Sequence, residues 1–405
     1  MHPVLAGRML FLWRVAVCRL AIFTYFCTKF IAMVQIKEVL TERDKKKLFR
    51  FPIDLYRECD MYVPVLIGDE MDTFNPKKNG AYSYAQSRLW LAYRDGKIVG
   101  RIGAILNRAA NEKDNVKQLR FTRFDFIDDY EVSKALFDTV IGWARELGMT
   151  ELVGPLGFSN LDKQGMLVDG FDQLDMYITL YNYPYYIQHM KRLGLTKKWD
   201  WTETKVIVPD QVPPKMDQIA DISEKRYGYS IKKFRNMKEV RPYVRRAMEI
   251  INVAFAKLHG VVPLSDKQID NMEHLIALVG RPEYSLMVQN QAGDLVGFGF
   301  IAPSISRGIR ASKGKLGLFS ALKVLGDLND HRHIDFYMIG VRPEDQKKGV
   351  ECIILREGIK AIQSHGGIDC QTGPMLEDNA NVQNIWKHFE HYTHRRRRCW
   401  TYSLE

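Results

Sequence analysis

The sequence lacks a cysteine framework. Six cysteines in 405 residues, at positions 18, 27, 59, 352, 370 and 399, contain no CxxC pair, which argues against a disulfide scaffold and a zinc-finger pattern and points to a reducing, cytoplasmic setting. A long apolar run is missing too. The most apolar stretch, Met9–Met33, is broken by Arg14, Arg19 and Lys29, and its longest uncharged piece is Leu20–Thr28. That piece is too short to cross a bilayer as a helix, and no clear small-residue cleavage site follows it, against a signal peptide. Residues 1–33 hold no acid at all. They read either as a basic amphipathic anchor or, the preferred reading, as an over-extended start, with ordinary sequence beginning at Met33-Val34. The histidines form close pairs, His331/His333 and His388/His391, without a carboxylate at ligand spacing, so no metal site is expected.

The net charge is +11, but it is local. The leader carries Arg8, Arg14, Arg19 and Lys29, and Arg395–Arg398 form a second basic run; the rest is close to neutral. A moderately basic enzyme holding an anionic cofactor accounts for this as well as RNA binding does. Arg395–Arg398 falls in the last expected strand, with Arg395 and Arg397 on one face and Arg396 and Arg398 on the other. The run reads as an exposed edge whose charges discourage aggregation, with phosphate or RNA contact as the functional alternative.

What the chain does have is a repeat. Asp95-Gly96-Lys97-Ile98-Val99-Gly100 lies between two β-rich runs, and Ala292-Gly293-Asp294-Leu295-Val296-Gly297 lies in the same setting, with Gly96 and Gly293 197 residues apart. A helical run ending at Gly148 leads into Gly154-Pro155; its counterpart ends at Gly366 and leads into Gly373-Pro374, offsets of 218 and 219 residues. Ordered matches at near-constant spacing imply a duplicated unit of about 170 to 180 residues rather than a solenoid of short repeats. Each unit reads as strand, helix, β-hairpin, strand, helix, short strand, helix and strand. In the first, Val132–Leu147 has helical apolar spacing and Gly148 is its C-cap. Pro209, Pro213 and Pro214 open a charged stretch, 209–228, that reads as a linker. Helical residues 314–326 are an insertion in the second unit.

The sharpest chemical signal is Ile339-Gly340-Val341-Arg342-Pro343-Glu344-Asp345-Gln346-Lys347-Lys348-Gly349-Val350. An apolar strand ends, a short loop follows and a helix opens. Free amides at a helix start cradle a pyrophosphate, Gly349 permits close approach, and Lys347 and Lys348 add positive charge. The segment resembles the acyl-CoA-binding segment of the GNAT family of N-acetyltransferases, written Gln/Arg-x-x-Gly-x-Gly/Ala. Gln346 and Gly349 match it, and Glu351 stands where the pattern has a small residue. Gly373–Asn379 followed by Val382, Ile385, Trp386 and Phe389 is similar to the family's fifth strand and fourth helix.

The resemblance implies an α/β (α+β) chain of two acyl-CoA N-acyltransferase-like domains in tandem, 34–208 and 229–405, each a mixed, mostly antiparallel sheet flanked by helices. It implies an acetyl-CoA or other acyl-CoA donor held by Ile339, Gly340, Val341, Gln346, Lys347, Lys348, Gly349 and Val350. Parted fourth and fifth strands would admit the pantetheine arm, and backbone amides on the fourth would polarise the thioester carbonyl during direct attack by an amine. Glu377 is the candidate general base. Trp386 stands nearest the family's tyrosine acid, leaving Tyr392 as the candidate replacement. In the first half Asp125, Asp128, Asp129 and Glu131 occupy the phosphate region, so that half reads as having lost its cofactor. Its Gly154–Gly170 loop and Tyr181–Tyr186 cluster offer Asn160, Tyr181, Asn182 and Tyr185 as a substrate-binding set. The expected acceptor is a small-molecule or peptide amine. Two rivals stay open: a non-catalytic ligand- or partner-binding member, and an aminoacyl or peptidyl transferase using charged tRNA.

Overall fold

In a computed structural model, which describes residues 33–404 apart from 257 and 259, the two halves share one sheet. Almost all of the leader falls outside the described residues. The first half runs β1 (Gln35–Glu38), α1 (Glu42–Leu55), α2 (Ile67–Thr73), β2 (Ala85–Arg94), β3 (Lys97–Asn107), α3 (Arg108–Asp114), β4 (Gln118–Phe126), α4 (Tyr130–Glu146), β5 (Glu151–Gly154), β6 (Met166–Asp169), α5 (Tyr185–Arg192) and β7 (Thr196–Ile207). Helix α6 (Pro214–Tyr227) follows. The second half is β8 (Ser230–Lys232), α7 (Met237–Ala254), α8 (Asp266–Val279), β9 (Ser285–Gln289), β10 (Leu295–Pro303), α9 (Ser306–Ser312), α10 (Leu318–Leu328), β11 (His333–Val341), α11 (Val350–Ser364), β12 (Asp369–Thr372), β13 (Met375–Leu376), α12 (Ala380–Trp386) and β14 (His391–Ser403).

The strand order is β1-β2-β3-β4-β5-β14-β7-β12-β11-β10-β9-β8. Among the described residues only β4–β5 and β11–β12 pair in parallel. The long final strands are exchanged: β7 of the first half runs beside β12, and β14 of the second half runs beside β5. They pair with each other over nearly their whole length.

The repeated hairpin motif has a packing reason. Gly100 and Gly297 close the two copies. A Cβ on Gly100 would come within 3.0 Å of Leu136 and Val132 in α4, and one on Gly297 would press on Val350 and Ile354 in α11. Both glycines let the first turns of equivalent helices settle onto the sheet. Helix α11 buries Val350, Ile353, Ile354 and Ile359 with α6 on one face, and α7 and α8 pack Val244, Met248 and Ile251 on the other.

Three sequence readings change. Arg395–Arg398 lies mid-sheet, not on an edge, with Arg395 and Arg397 fully buried. The alternation holds, but the compensating acids come from distant sequence. Arg395 Nε donates to Glu203 Oε2 at 2.6 Å and Arg397 Nε to Glu203 Oε1 at 2.5 Å, and Arg397 also pairs with Asp175. Residues 209–228 hold helix α6, started by Pro214 and ended by Gly228 in the left-handed region (φ 66°). The Gly154–Gly170 loop contains β6, which pairs with β14.

Candidate active site

The second half contains an opening that its sheet builds from two local features. Strands β11 and β12 pair only from His333↔Asp369 to Phe336↔Thr372. Beyond Gly373, whose amide donates to Phe336 O at 3.0 Å, the chain swings away and β13 pairs with β7 instead. Residues 338–341 therefore keep a ladder with β10 but none with β12 or β13. At the apex, Phe300 pairs with Met338 and Ile301 with Phe336, so Tyr337 is an extra residue in β11. A bulge of this kind leaves backbone groups outside the ladder and re-aims the neighbouring side chains.

Beside the bulge sits a buried carboxyl that no motif in the sequence marks. Asp335 is fully buried, accepts from Gln371 Nε2 at 2.6 Å and from the Tyr337 hydroxyl at 3.3 Å. Burial pushes it up to about 6, with hydrogen bonds from Gln371 and Ser304 and the charge of Arg395 pulling the other way. Burial next to Asp335 drives the Tyr337 hydroxyl well above its ordinary value. Gln371 and Ser304 in turn line a cleft of about 140 Å³, with Lys205, Arg307, Asp327 and His394 among its other walls. His333 Nδ1 and Lys205 Nζ both meet Asp369 there, at 2.9 and 3.2 Å. Burial pulls His394 down to about 3, so His394 brings no charge to the cleft at neutral pH.

The segment singled out for a pyrophosphate lies at the far end of the opening. Ile339 and Val341 pack partly buried among the α11 residues, and Gly340 lies against the Phe298 ring. Gln346 and Lys347 are exposed, Lys348 is half-buried, and Gly349 and Val350 are buried. Lys347 and Gly349 both take positive φ, 61° and 80°, which turns the chain into α11. Asp345 braces the loop: despite burial, hydrogen bonds from Tyr229 and Arg342 hold it below its ordinary value. Gly349 has a second reason to be glycine, because a Cβ would lie closer than 3.0 Å to Ser223 and Ile219 of α6.

The remaining candidates are scattered. Glu377, beside β13, accepts from the Asp200 amide at 3.0 Å and pairs with Lys197 at 2.5 Å and Arg396 at 3.2 Å. Tyr392 is 51% exposed on β14. Asn160 is half-buried in a turn of the first half. Asn182 is buried and holds both backbone groups of Leu167, and the Tyr181 hydroxyl donates to Phe171 O. Among the described residues, no group of three or more His, Cys, Asp and Glu is arranged to hold a metal, and no helix is long and apolar enough to cross a membrane.

The equivalent opening in the first half is filled by the chain itself. Tyr186 Oη accepts from the Phe126 amide at 3.0 Å and Tyr185 donates to Phe126 O at 2.5 Å. At the matching bulge Arg123 (φ 46°) is buried, donating to Glu70 at 2.9 Å and Asp162 at 2.8 Å. Asp129 caps the start of α4, accepting from the Glu131 amide at 2.9 Å, and pairs with Arg94.

Comparison with known structures places this architecture. A tandem GNAT protein from the clavulanic acid biosynthesis pathway superimposes with a TM-score of 0.53 at 12% identity, over 92% of this chain and 99% of that one. The glucosamine N-acetyltransferase region of a fungal multi-domain β-N-acetylglucosaminidase gives 0.52 at 13% identity, over 92% of this chain and 38% of that one. The chain thus has the tandem GNAT fold, two acyl-CoA N-acyltransferase-like units in one mixed sheet. Among curated proteins it is 25% identical over 362 residues to Protein YghO of Escherichia coli (strain K12), spanning 86% of this chain and 90% of that protein. It is also 25% identical over 300 residues to the bacterial ceramide synthase of Caulobacter vibrioides (strain NA1000 / CB15N), spanning 73% of this chain and 76% of that protein. No family model matches the chain.

Proposed function

We propose that this chain is a cytoplasmic N-acyltransferase whose C-terminal half takes an acyl-CoA donor and whose acceptor is the amine of a long-chain lipid. The observation that carries the reading is the parted β11/β13 opening, with a bulge and a buried carboxyl at its apex, open in one half and plugged by Tyr185, Tyr186 and Arg123 in the other. The lipid acceptor is suggested by the similarity to a ceramide synthase, since a ceramide is an N-acylated long-chain amino alcohol.

Acyl-CoA would supply an acyl group already activated as a thioester. Gln346, Lys347, Lys348 and the first amides of α11 fit its pyrophosphate, and the free edge of residues 339–341 fits its pantetheine amides as an added strand. Amides at the Tyr337 bulge are available to an oxyanion. The carboxylates lining the cleft attract an ammonium, which must lose its proton before it can attack. Asp335 is poised for that step, because a base works best with a pKa near the working pH, and the Tyr337 hydroxyl can relay the proton to it. Glu377 is the less suitable base, its oxygens already held by Lys197, Arg396 and the Asp200 amide.

The charged-tRNA alternative drew its support from Arg395–Arg398. Those arginines are engaged with Glu203, Asp175, Asp200 and Glu377, which leaves that alternative without a favouring observation. The test is calorimetric titration of the full chain with CoA and with short- and long-chain acyl-CoA, followed by CoA release in the presence of a long-chain amino alcohol. Saturable binding with amine-dependent release supports the reading. A folded protein that binds none of these ligands overturns it in favour of a non-catalytic role.

A further inference from the structure

The insertion in the second half leaves an apolar surface uncovered. Leu318, Phe319, Leu322 and Leu325 of α10 are 76%, 83%, 56% and 53% exposed, and Leu316 just ahead of them is also exposed. Their spacing puts them on one helical face. The opposite face is firmly seated. Leu328 and Val324 pack with Ile309 of α9, with Ile305 just ahead of it and with Val63, Gly308 lets α10 cross close at Val324, and the Gly308 amide donates to Asp327. Ser320 Oγ accepts from the Gly317 amide at 2.9 Å and fixes the start of the helix. So the apolar face is not a loosened core helix; it is held outward.

The charge around it is mainly of one sign. Residues 304–326 contain Arg307, Arg310, Lys313, Lys315 and Lys323 and no acid, and all five are exposed. Arg310 lies 3.9 Å from Asp60 and the charge of Arg307 acts on Asp327, whereas Lys313, Lys315 and Lys323 face solvent. Exposed apolar residues on a short helix, flanked by unpaired lysines, match the interface of an anionic bilayer: the apolar side chains enter the acyl boundary while the lysine heads reach the phosphates. A protein partner with an acidic rim would meet the same charge. The unbroken apolar ridge, projecting on a helix rather than recessed as a groove, fits a fluid lipid surface better.

We infer that α10 with its flanking lysines is a docking surface for anionic phospholipid membranes. The same helix pair roofs the cleft, through Arg307 and Asp327, so docking would bring that cleft to the membrane. The inference stands apart from the proposed reaction, since docking is read without turnover.

The experiment is flotation of the full chain with phosphatidylcholine vesicles, with and without phosphatidylglycerol. Wild type should float with the anionic vesicles and much less with the neutral ones. The double variant Phe319→Asp/Leu322→Asp, and separately Lys315→Glu/Lys323→Glu, should lose binding by about tenfold or more, with melting temperature unchanged because all four side chains face solvent. Wild type that stays with the soluble fraction overturns the inference. Variants that float as well as wild type also overturn it, because binding then resides elsewhere, as in residues 1–32. A wild-type dimer that Phe319→Asp/Leu322→Asp converts to monomer overturns it as well, by assigning the face to a second copy.

Discussion

At Asp335 burial and function pull in the same direction. Burial raises its pKa from 3.8 to about 6, so the fold favours the protonated form. Its contribution to stability is complete below about pH 4 and is lost as the pH climbs through 6. The base form, and with it turnover, should appear over that same upper range. Asp335→Asn should lower kcat by about 10²–10⁴-fold with little change in the donor's KM, remove the acidic limb near pH 6, and leave stability at pH 7 undiminished. An unchanged pH profile would deny Asp335 the role. Glu203 behaves oppositely. Although burial alone would raise it, the charges of Arg395 and Arg397 bring it down from 4.5 to about 2. Its stabilisation is present above its unfolded value and is lost as the pH falls toward 2. Glu203→Gln should cost about 3–5 kcal/mol, readable by urea denaturation at pH 7. Asp335 was legible in principle, as a lone acid in the apolar run Ile334–Val341. Its nearness to Gln371 and Ser304 was not, because alternation along a strand does not say which distant side chain faces it.

Elements carry the asymmetry between the halves. Tyr186→Phe removes the acceptor of a buried amide and should cost about 1–3 kcal/mol without changing CoA affinity, which calorimetry on the variant would check. Lys347→Glu, in the exposed loop before α11, should weaken CoA binding by roughly three- to tenfold at low salt and less at high salt. An effect insensitive to salt would remove Lys347 from the phosphate cradle. Gly349→Asp is a poor probe of the same cradle, since it would push on Ser223 and Ile219 of α6. The hairpins, α4, α11 and the loop before α11 could be read from the sequence because turn residues and apolar spacing are local signals. Helix α6 could not, because a proline-opened charged stretch with few buried positions reads as a linker. The bulge at Tyr337 could not either, since one extra residue in an apolar strand changes no composition.

Across the whole molecule, the tandem organisation was legible from repeated motifs, but the exchange of β7 and β14 was not. Nothing local marks a strand as belonging to its partner's side of the sheet, and the arginines of β14 resemble an edge until Glu203 and Asp175 are placed beside them. The exchange implies that neither half is self-sufficient. Residues 33–208 expressed alone should be insoluble or molten, whereas coexpression with 209–405 should recover a complex that copurifies through β7 and β14; a stable, monomeric first half would refute this. It also bears on the order of events during synthesis. Translation delivers β5 and β7 long before β14, the strand that goes between them. The nascent first half must therefore wait with two sheet edges bare and Glu203 and Asp175 without their arginines, a state open to wrong pairing. Interruption of synthesis before the 13 residues of β14 would remove the strand that closes both halves, a far heavier loss than its length suggests.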